Sequence, residues 1–470
     1  MDRDEFRKWS HVAAEWGADY RETLRDRPVR ARTQPGAIAA QIAASPPEEA
    51  EPMEAIFADF EEQILPGMTH WQHPRFFAYF PANAAPVSVV AEYLVSAMAA
   101  QCMLWQTSPA ATELETVMID WLRQALGLPE GFSGVIQDSA SSATLAAVLT
   151  MRERALDWQG NVTGLSGHKA LRIYCSEQVH TSVDRAIWVA GIGSDNLVRI
   201  PTGGRQRSMD VAALDAQIIR DRQAGLLPAG IIPCVGGTSV GGTDDIAGVC
   251  AVARKQGLYV HVDAAWAGSA MICPEFRHFW AGVEEADSIV FNPHKWLGAQ
   301  FDCSVQFIRE PDSLVKTLAI QPEYLKTHGK DGIINYSEWS VPLGRRFRAL
   351  KLWFLLRAYG LEGLRTRIRD HVRWSEALAA RLSREPRFEI VTEPMLSLFS
   401  FRHRAPEGRD GDEHNLRLVN AINDAGRIYL TQTRVDGRVA IRFQAGQFDT
   451  TQADVDAAFD AIMDAAALLN

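Results

Sequence analysis

Lys295 stands in Asn292-Pro293-His294-Lys295-Trp296, directly after the apolar run Ser288–Phe291. Burying an ammonium in such a setting is unfavourable, which lowers its pKa and leaves a neutral amine able to form a Schiff base with an aldehyde. Asp263 follows a second apolar run, Leu258–Val262, and opens Asp263-Ala264-Ala265. A carboxylate at the end of a buried strand can keep a pyridine nitrogen protonated and turn that ring into an electron sink, while small Ala265 lets a flat ring lie against the backbone. Asp138-Ser139-Ala140-Ser141-Ser142 opens the helical pattern Leu145–Leu156. Hydroxyls and open backbone N–H groups at a helix start suit a phosphate, so Ser139, Ala140 and Ser141 form the candidate cradle. Amine, carboxylate and cradle together describe a site for pyridoxal 5′-phosphate (PLP).

Each feature alone has an ordinary explanation: a surface lysine, an aspartate capping a helix, a serine-rich helix start. What joins them is their placement after apolar runs. The loop Gly236-Gly237-Thr238-Ser239-Val240-Gly241-Gly242 follows a third run, Gly230–Val235, and brings Thr238 to the same edge. Its glycines do not fit G-x-G-x-x-G and no acidic ribose ligand stands at the required distance, which excludes a nicotinamide site.

The runs Leu171–Cys175, Gly230–Val235, Leu258–Val262 and Ser288–Phe291 alternate with helical patterns from about residue 84 to 358. Continuous apolar runs of that length, separated by helices, predict a mostly parallel sheet covered on both faces, with ligands at the carboxyl ends of its strands. Residues 1–83 read as a helical arm. Phe6, Trp9, Ala13, Trp16, Tyr20 and Leu24 form one apolar stripe, and a second helical pattern runs from Met53 to Leu65. Such an arm is expected to pack on another subunit. Residues 359–470 read as a smaller α+β domain, with alternating segments Met395–Phe401 and Arg438–Phe443, a polar loop Ala405–Glu413 and a closing helix Thr451–Leu469.

Composition narrows the partners. With 58 acidic against 48 basic residues and no long basic run, a grip on nucleic acid or on anionic membrane is not expected. The most apolar stretch, Val87 to Trp105, contains Glu92 and Gln101 and fails as a membrane span; it reads as a buried helix near a site. The charged start Met1-Asp2-Arg3-Asp4-Glu5 lacks the apolar core of a secretory signal, which predicts a cytoplasmic protein. The six cysteines are scattered without C-x-x-C, and the 12 histidines show no metal-ligand spacing, so buried thiols and no metal are expected.

These residues make the chain similar to the group II PLP-dependent decarboxylases, most of all the aromatic-L-amino-acid decarboxylases. Two signatures carry the resemblance: His261-Val262-Asp263-Ala264-Ala265-Trp266-Ala267-Gly268-Ser269, continuing to Cys273-Pro274-Glu275-Phe276-Arg277, and Asn292-Pro293-His294-Lys295-Trp296 with Phe301-Asp302-Cys303. It extends over essentially the whole chain, including His73-Pro74-Arg75-Phe76-Phe77-Ala78-Tyr79-Phe80-Pro81. The resemblance implies an α/β protein of PLP-dependent transferase fold type I, aspartate-aminotransferase-like. That fold has a mostly parallel seven-stranded sheet in its large domain, a small C-terminal α+β domain and an N-terminal arm swapped in a homodimer whose active sites lie at the interface, so that Met103 and the segment Pro342-Leu343-Gly344-Arg345-Arg346 are expected to reach a neighbour's pocket. It further implies that Lys295 bonds the cofactor, Asp263 pairs with the ring nitrogen, His180 stacks on the ring, and Asn292 joins the Ser139–Ser141 turn at the phosphate. Thr238, Ala265, His294 and Gly344 complete the implied cofactor site. Tyr324 matches the loop tyrosine that protonates Cα after carbon dioxide leaves; a phenylalanine there would point to the related aldehyde synthases. Asp138 and Trp266 depart from the mammalian-type pattern, which has glycine and tyrosine at those positions.

Trp71, Tyr79, Phe80, Pro81, Met103 and Leu343 would line an apolar slot suited to an aromatic ring rather than to a carboxylate tail. Gly344 stands where histidine decarboxylases carry serine, which favours a larger ring. The expected activity is a carboxy-lyase reaction on tryptophan, phenylalanine, tyrosine or DOPA, with tryptophan slightly preferred. The alternatives are an oxygen-consuming aldehyde synthase, or an inactive dimeric paralogue, which should have lost Lys295 or Asp263.

Overall fold

The structure, a computed structural model, describes residues 1–320 and 333–469. Runs rich in Val, Ile and Leu form its strands because branched side chains pack well on a pleated surface buried on both faces. In chain order these are β1 (Ser133–Gln137), β2 (Leu171–Ser176), β3 (Leu197–Ile200), a short ribbon of β4 (Thr202–Gly203) and β5 (Ser208–Met209), β6 (Leu227–Ile232), β7 (Tyr259–Asp263), β8 (Ser288–Phe291) and β9 (Ser304–Ile308). Seven of them form one sheet in the order β1-β9-β8-β7-β6-β2-β3. Only β9 runs antiparallel to its neighbours. The mostly parallel seven-stranded sheet is therefore present.

By contacts the chain forms two compact units, Ala82–Arg373 and Met1–Pro81 together with the chain from Trp374 onward. Most of the arm expected over 1–83 and most of the small domain expected over 359–470 thus share one unit, while 82–83 and 359–373 belong to the other. Its sheet is antiparallel, ordered β10-β11-β13-β12, from β10 (Phe388–Met395), β11 (Leu398–His403), β12 (Thr431–Val435) and β13 (Arg438–Gln444). Phe77, Phe399, Phe401 and Phe443 fill its core. The segment Met395–Phe401 is not one strand: Leu396 takes a left-handed φ of 50° and turns the chain between β10 and β11.

In the same unit the first helix, Arg3–Glu22, lays Trp9 on Phe57 and Trp16 on Phe60, with ring centres 5.5 and 5.1 Å apart. None of its residues is buried. In the other unit the helix Pro86–Met98 differs from the buried helix expected there. Ser88, Ala91 and Val95 are covered, while Val89, Val90, Tyr93, Leu94 and Met98 remain exposed. A helix apolar on nearly all sides needs a partner on each side, and the single chain supplies one. No helix among the described residues is long and apolar enough to cross a membrane.

Candidate active site

Three neighbouring strands end at one place. Asp263 is the last residue of β7, 6% exposed, with its N–H donated to Pro233 O at 3.0 Å and its carbonyl accepting from Val235 N at 2.9 Å. Its Oδ1 accepts from Ala265 N at 3.0 Å and so fixes the turn. Asn292, just past β8, donates its N–H to Ala265 O at 2.9 Å, and its Oδ1 accepts from Ser304 Oγ of β9 at 2.6 Å. Ser304 was not singled out by sequence because β9 carries no motif.

Lys295 lies in a single wide helical turn, Pro293–Leu297, closed by Gly298 at φ 108°. Its N–H reaches Asn292 O at 2.9 Å. Asn83, also unforeseen, grips the turn from the side: its N–H donates to His294 O at 2.7 Å and its Nδ2 to Lys295 O at 2.5 Å. The Lys295 side chain keeps partial solvent access, yet enclosure of its amine pushes the pKa down, with the Asp263 carboxylate acting in the opposite direction. His294 is buried, and its Nδ1 accepts from Cys303 N at 2.9 Å, which places the ring proton on Nε2. Burial and the neighbouring Lys295 lower it to about 3, so it is a neutral support.

His180 follows β2. Burial of part of its ring lowers its pKa, Asp263 raises it and Lys295 lowers it, so these three groups share one electrostatic neighbourhood. Its Nδ1 accepts from Ser182 N at 3.1 Å. Beneath Lys295, Trp296 stacks on Trp266 with ring centres 5.1 Å apart and donates Nε1–H to His371 Nδ1 at 2.9 Å. The Trp266 departure therefore contributes to the packing under the lysine.

Ser139 caps the helix Ala140–Ala155: its Oγ accepts from Ser142 N at 3.2 Å and donates to Asp138 Oδ1 at 3.0 Å. Ser139 and Ala140 are half-buried and Ser141 is exposed, which leaves the helix start open. The glycines after β6 serve close packing. A Cβ on Gly236 would lie 2.6 Å from Ala267 Cβ, and one on Gly237 would lie 2.6 Å from Gln178 O. Thr238, between them and Val240, is half-buried. A lowered lysine, a buried carboxylate, a neutral imidazole and an open serine turn form a donor set that fits an aldehyde, a ring nitrogen, a ring face and a phosphate, the four parts of PLP.

The chain matches the model of the pyridoxal-dependent decarboxylase conserved domain over residues 35–404. It belongs to the pyridoxal-dependent decarboxylases. It is 39% identical to the rat (Rattus norvegicus) aromatic-L-amino-acid decarboxylase, covering 99% of this chain and 98% of that protein. It is 36% identical to a phenylacetaldehyde synthase of Arabidopsis thaliana, covering 100% and 97%. The solved structure of Oryza sativa TDC with PLP and tryptamine superposes with a TM-score of 0.96 at 35% identity, covering 100% of this chain and 99% of that one. PLP is the cofactor of this decarboxylase.

The remaining candidates fall into separate groups. In the unit containing the N-terminus, Trp71 and Tyr79 stack with ring centres 5.8 Å apart, Tyr429 lies 6.0 Å from Tyr79, and the Arg442 guanidinium lies 5.3 Å from the Phe80 ring centre. Pro81 is buried. Tyr429 and Arg442 join this cluster without having been singled out in the sequence. In the other unit Met103 O accepts from Ser337 N at 3.0 Å, and Cys102 N donates to Arg345 O at 3.0 Å, which sets Met103 beside the segment carrying Leu343 and Gly344. Leu343 and Gly344 are exposed. Tyr324 lies outside the described residues.

Proposed function

We propose that this pyridoxal-dependent decarboxylase converts aromatic L-amino acids of the tryptophan, phenylalanine, tyrosine or DOPA type, with a slight preference for tryptophan, to the corresponding arylalkylamine and carbon dioxide. The observation that carries the reading is the placement of Asp263 and Lys295 at adjoining strand ends, tied through Ala265 N to Asp263 Oδ1 at 3.0 Å, Asn292 N to Ala265 O at 2.9 Å and Lys295 N to Asn292 O at 2.9 Å. Its company of relatives, an aromatic-L-amino-acid decarboxylase among them, supports the substrate class.

Lys295 would hold the cofactor through Nζ, with Ser139, Ala140, Ser141 and Asn292 at its phosphate and Thr238, Ala265, His294 and Gly344 around it. When bound, PLP supplies the electron sink that accepts the electrons of the breaking bond between Cα and the carboxylate. Asp263 would keep a proton on the cofactor's ring nitrogen, and its burial would shield that interaction from water. His180, held neutral, offers a flat face. Trp71, Tyr79, Phe80 and Pro81 would offer apolar surface to an aromatic ring, and Met103 and Leu343 would do so at the site of a neighbouring copy. The carboxylate leaves as carbon dioxide, and Tyr324 gives Cα the proton that replaces it. We read the chain as a homodimer in which a second copy covers the exposed apolar side chains of the helix Pro86–Met98.

One specific observation favours a second reading: the phenylacetaldehyde synthase of Arabidopsis thaliana is also a full-length relative. Tyr324 and His180 speak for the amine outcome, and the presence of both Lys295 and Asp263 speaks against an inactive paralogue. The test is product analysis after the PLP-loaded protein receives an equal mixture of tryptophan, phenylalanine, tyrosine, DOPA, histidine and glutamate in air. Amines from the aromatic members alone are expected. Aldehydes with peroxide would establish the second reading, and amines from histidine or glutamate would overturn the substrate class.

A further inference from the structure

A short helical turn leaves carbonyls that must find donors elsewhere in the chain. In the turn Pro293–Leu297, which carries Lys295, the N–H groups of Gly298 and Ala299 both donate to Pro293 O at 3.1 Å. The next two carbonyls take their donors from outside the turn. Both are met by Asn83, 1% exposed: its N–H donates to His294 O at 2.7 Å and its Nδ2 to Lys295 O at 2.5 Å. The chain around Asn83 extends the same contact. Ala85 N donates to Gly298 O at 2.9 Å, Phe301 N to Asn83 O at 3.2 Å and Gln300 N to Ser88 Oγ at 2.6 Å.

The consequence falls on Lys295. Its N–H is held by Asn292 O at 2.9 Å and its carbonyl by Asn83 Nδ2, so the peptide planes on either side of its Cα are both fixed. Two fixed planes give the Cα–Cβ bond one direction, and that direction governs where Nζ can be placed. An amine that leaves its partner and returns to it in every turnover depends on such placement, since a displacement of about 1 Å can cost about a hundredfold in rate. Closure of the turn does not call for an amide at position 83, because the bonds made by the backbone of Asn83 and Ala85 do not depend on side-chain type. The bond from Nδ2 does, and it acts on the lysine alone.

We infer that Asn83 is a positioning residue for the cofactor lysine: through Nδ2 it fixes the Lys295 carbonyl and so determines where Nζ is presented to the cofactor. This rests on the reading that Lys295 holds PLP. The test compares the parent with Asn83→Asp, which keeps the shape and loses the donor, with Asn83→Ala, and with Lys295→Ala as a check on that reading. The readouts are the dissociation constant of PLP, the pH at which the absorbance band of the lysine-bound cofactor titrates, kcat and KM for tryptophan, and urea unfolding of the PLP-free protein. Each Asn83 variant should weaken PLP binding about tenfold, move the titration of the band and lower kcat about tenfold, with KM changed by less than about threefold. A titration that stays where the parent has it, in either folded variant, overturns the inference. That holds even if the PLP-free protein has become less stable, which is all that a merely structural role would produce. If Asn83→Ala does not fold, Asn83→Asp decides. If Lys295→Ala loses the band and the Asn83 variants match the parent, this inference alone fails; if Lys295→Ala keeps the band, the reading of Lys295 fails and takes the inference with it.

Discussion

His371→Leu removes the acceptor beneath the cofactor lysine. His371 is fully buried on the helix Ala349–Leu382, its ring lies 8° from parallel to that of Trp296, and its Nδ1 takes the Trp296 Nε1 proton at 2.9 Å. Leucine nearly fills the same volume, so the principal loss is the acceptor. An N–H left without a partner in a buried site costs about 1–3 kcal/mol. Removing both partners should cost less than the two single changes together. We therefore expect His371→Leu to lower the unfolding free energy by about 1–3 kcal/mol, Trp296→Phe to lower it too, and the double variant to show a favourable coupling of about 1 kcal/mol. Trp296 adjoins Lys295, so kcat should fall in His371→Leu and recover in part in His371→Gln, whose amide oxygen can accept. The assay is urea unfolding followed by tryptophan fluorescence, with kcat measured on the same preparations. Additive single effects and an unaltered kcat would refute the reasoning.

Further outcomes follow from the same geometry. Burial holds His294 and His371 at about 3 and His261 at about 4, against an ordinary 6.5. The unfolded chain therefore binds protons that the folded chain does not, so stability is full above about pH 6.5 and is lost as pH falls toward 3–4. An unfolding midpoint constant from pH 7.5 to 5 would contradict this. Gly236→Ala places a Cβ at φ 76° and 2.6 Å from Ala267; it should cost at least about 1–2 kcal/mol and reduce PLP retention, and a thermal midpoint equal to the parent's would count against it. Tyr324→Phe should shift the product from amine toward aldehyde and peroxide; a constant product ratio speaks against Tyr324 as the proton donor.

Much of the site could be read from the chain because parallel strands buried on both faces write themselves as continuous apolar runs, with chemistry at their ends. Ser288–Phe291 is a strand as read, and Leu258–Val262 is displaced from β7 by one residue. The apolar run Gly230–Val235 is displaced from β6 by three residues: Pro233 has no N–H to continue the ladder, and Cys234 and Val235 make only isolated bridges. What could not be read is what depends on contacts between distant positions. Arg345 and Glu115 stand 230 residues apart, and Trp296 and His371 stand 75 apart. Neither pair has a local pattern, and a glutamate within a helical stretch reads as a solvated face. The helix Pro86–Met98 shows the converse, since hydropathy reports a demand for cover without saying which molecule supplies it.

The most direct test of the central claim is the stoichiometry of tryptophan turnover in a sealed cell fitted with an oxygen electrode, comparing the PLP-loaded parent with Lys295→Ala. The account predicts tryptamine and carbon dioxide in equal amounts with no oxygen uptake from the parent, and neither product from the variant. Sustained tryptamine formation by Lys295→Ala, or aldehyde formed by the parent with matching oxygen consumption, would contradict it.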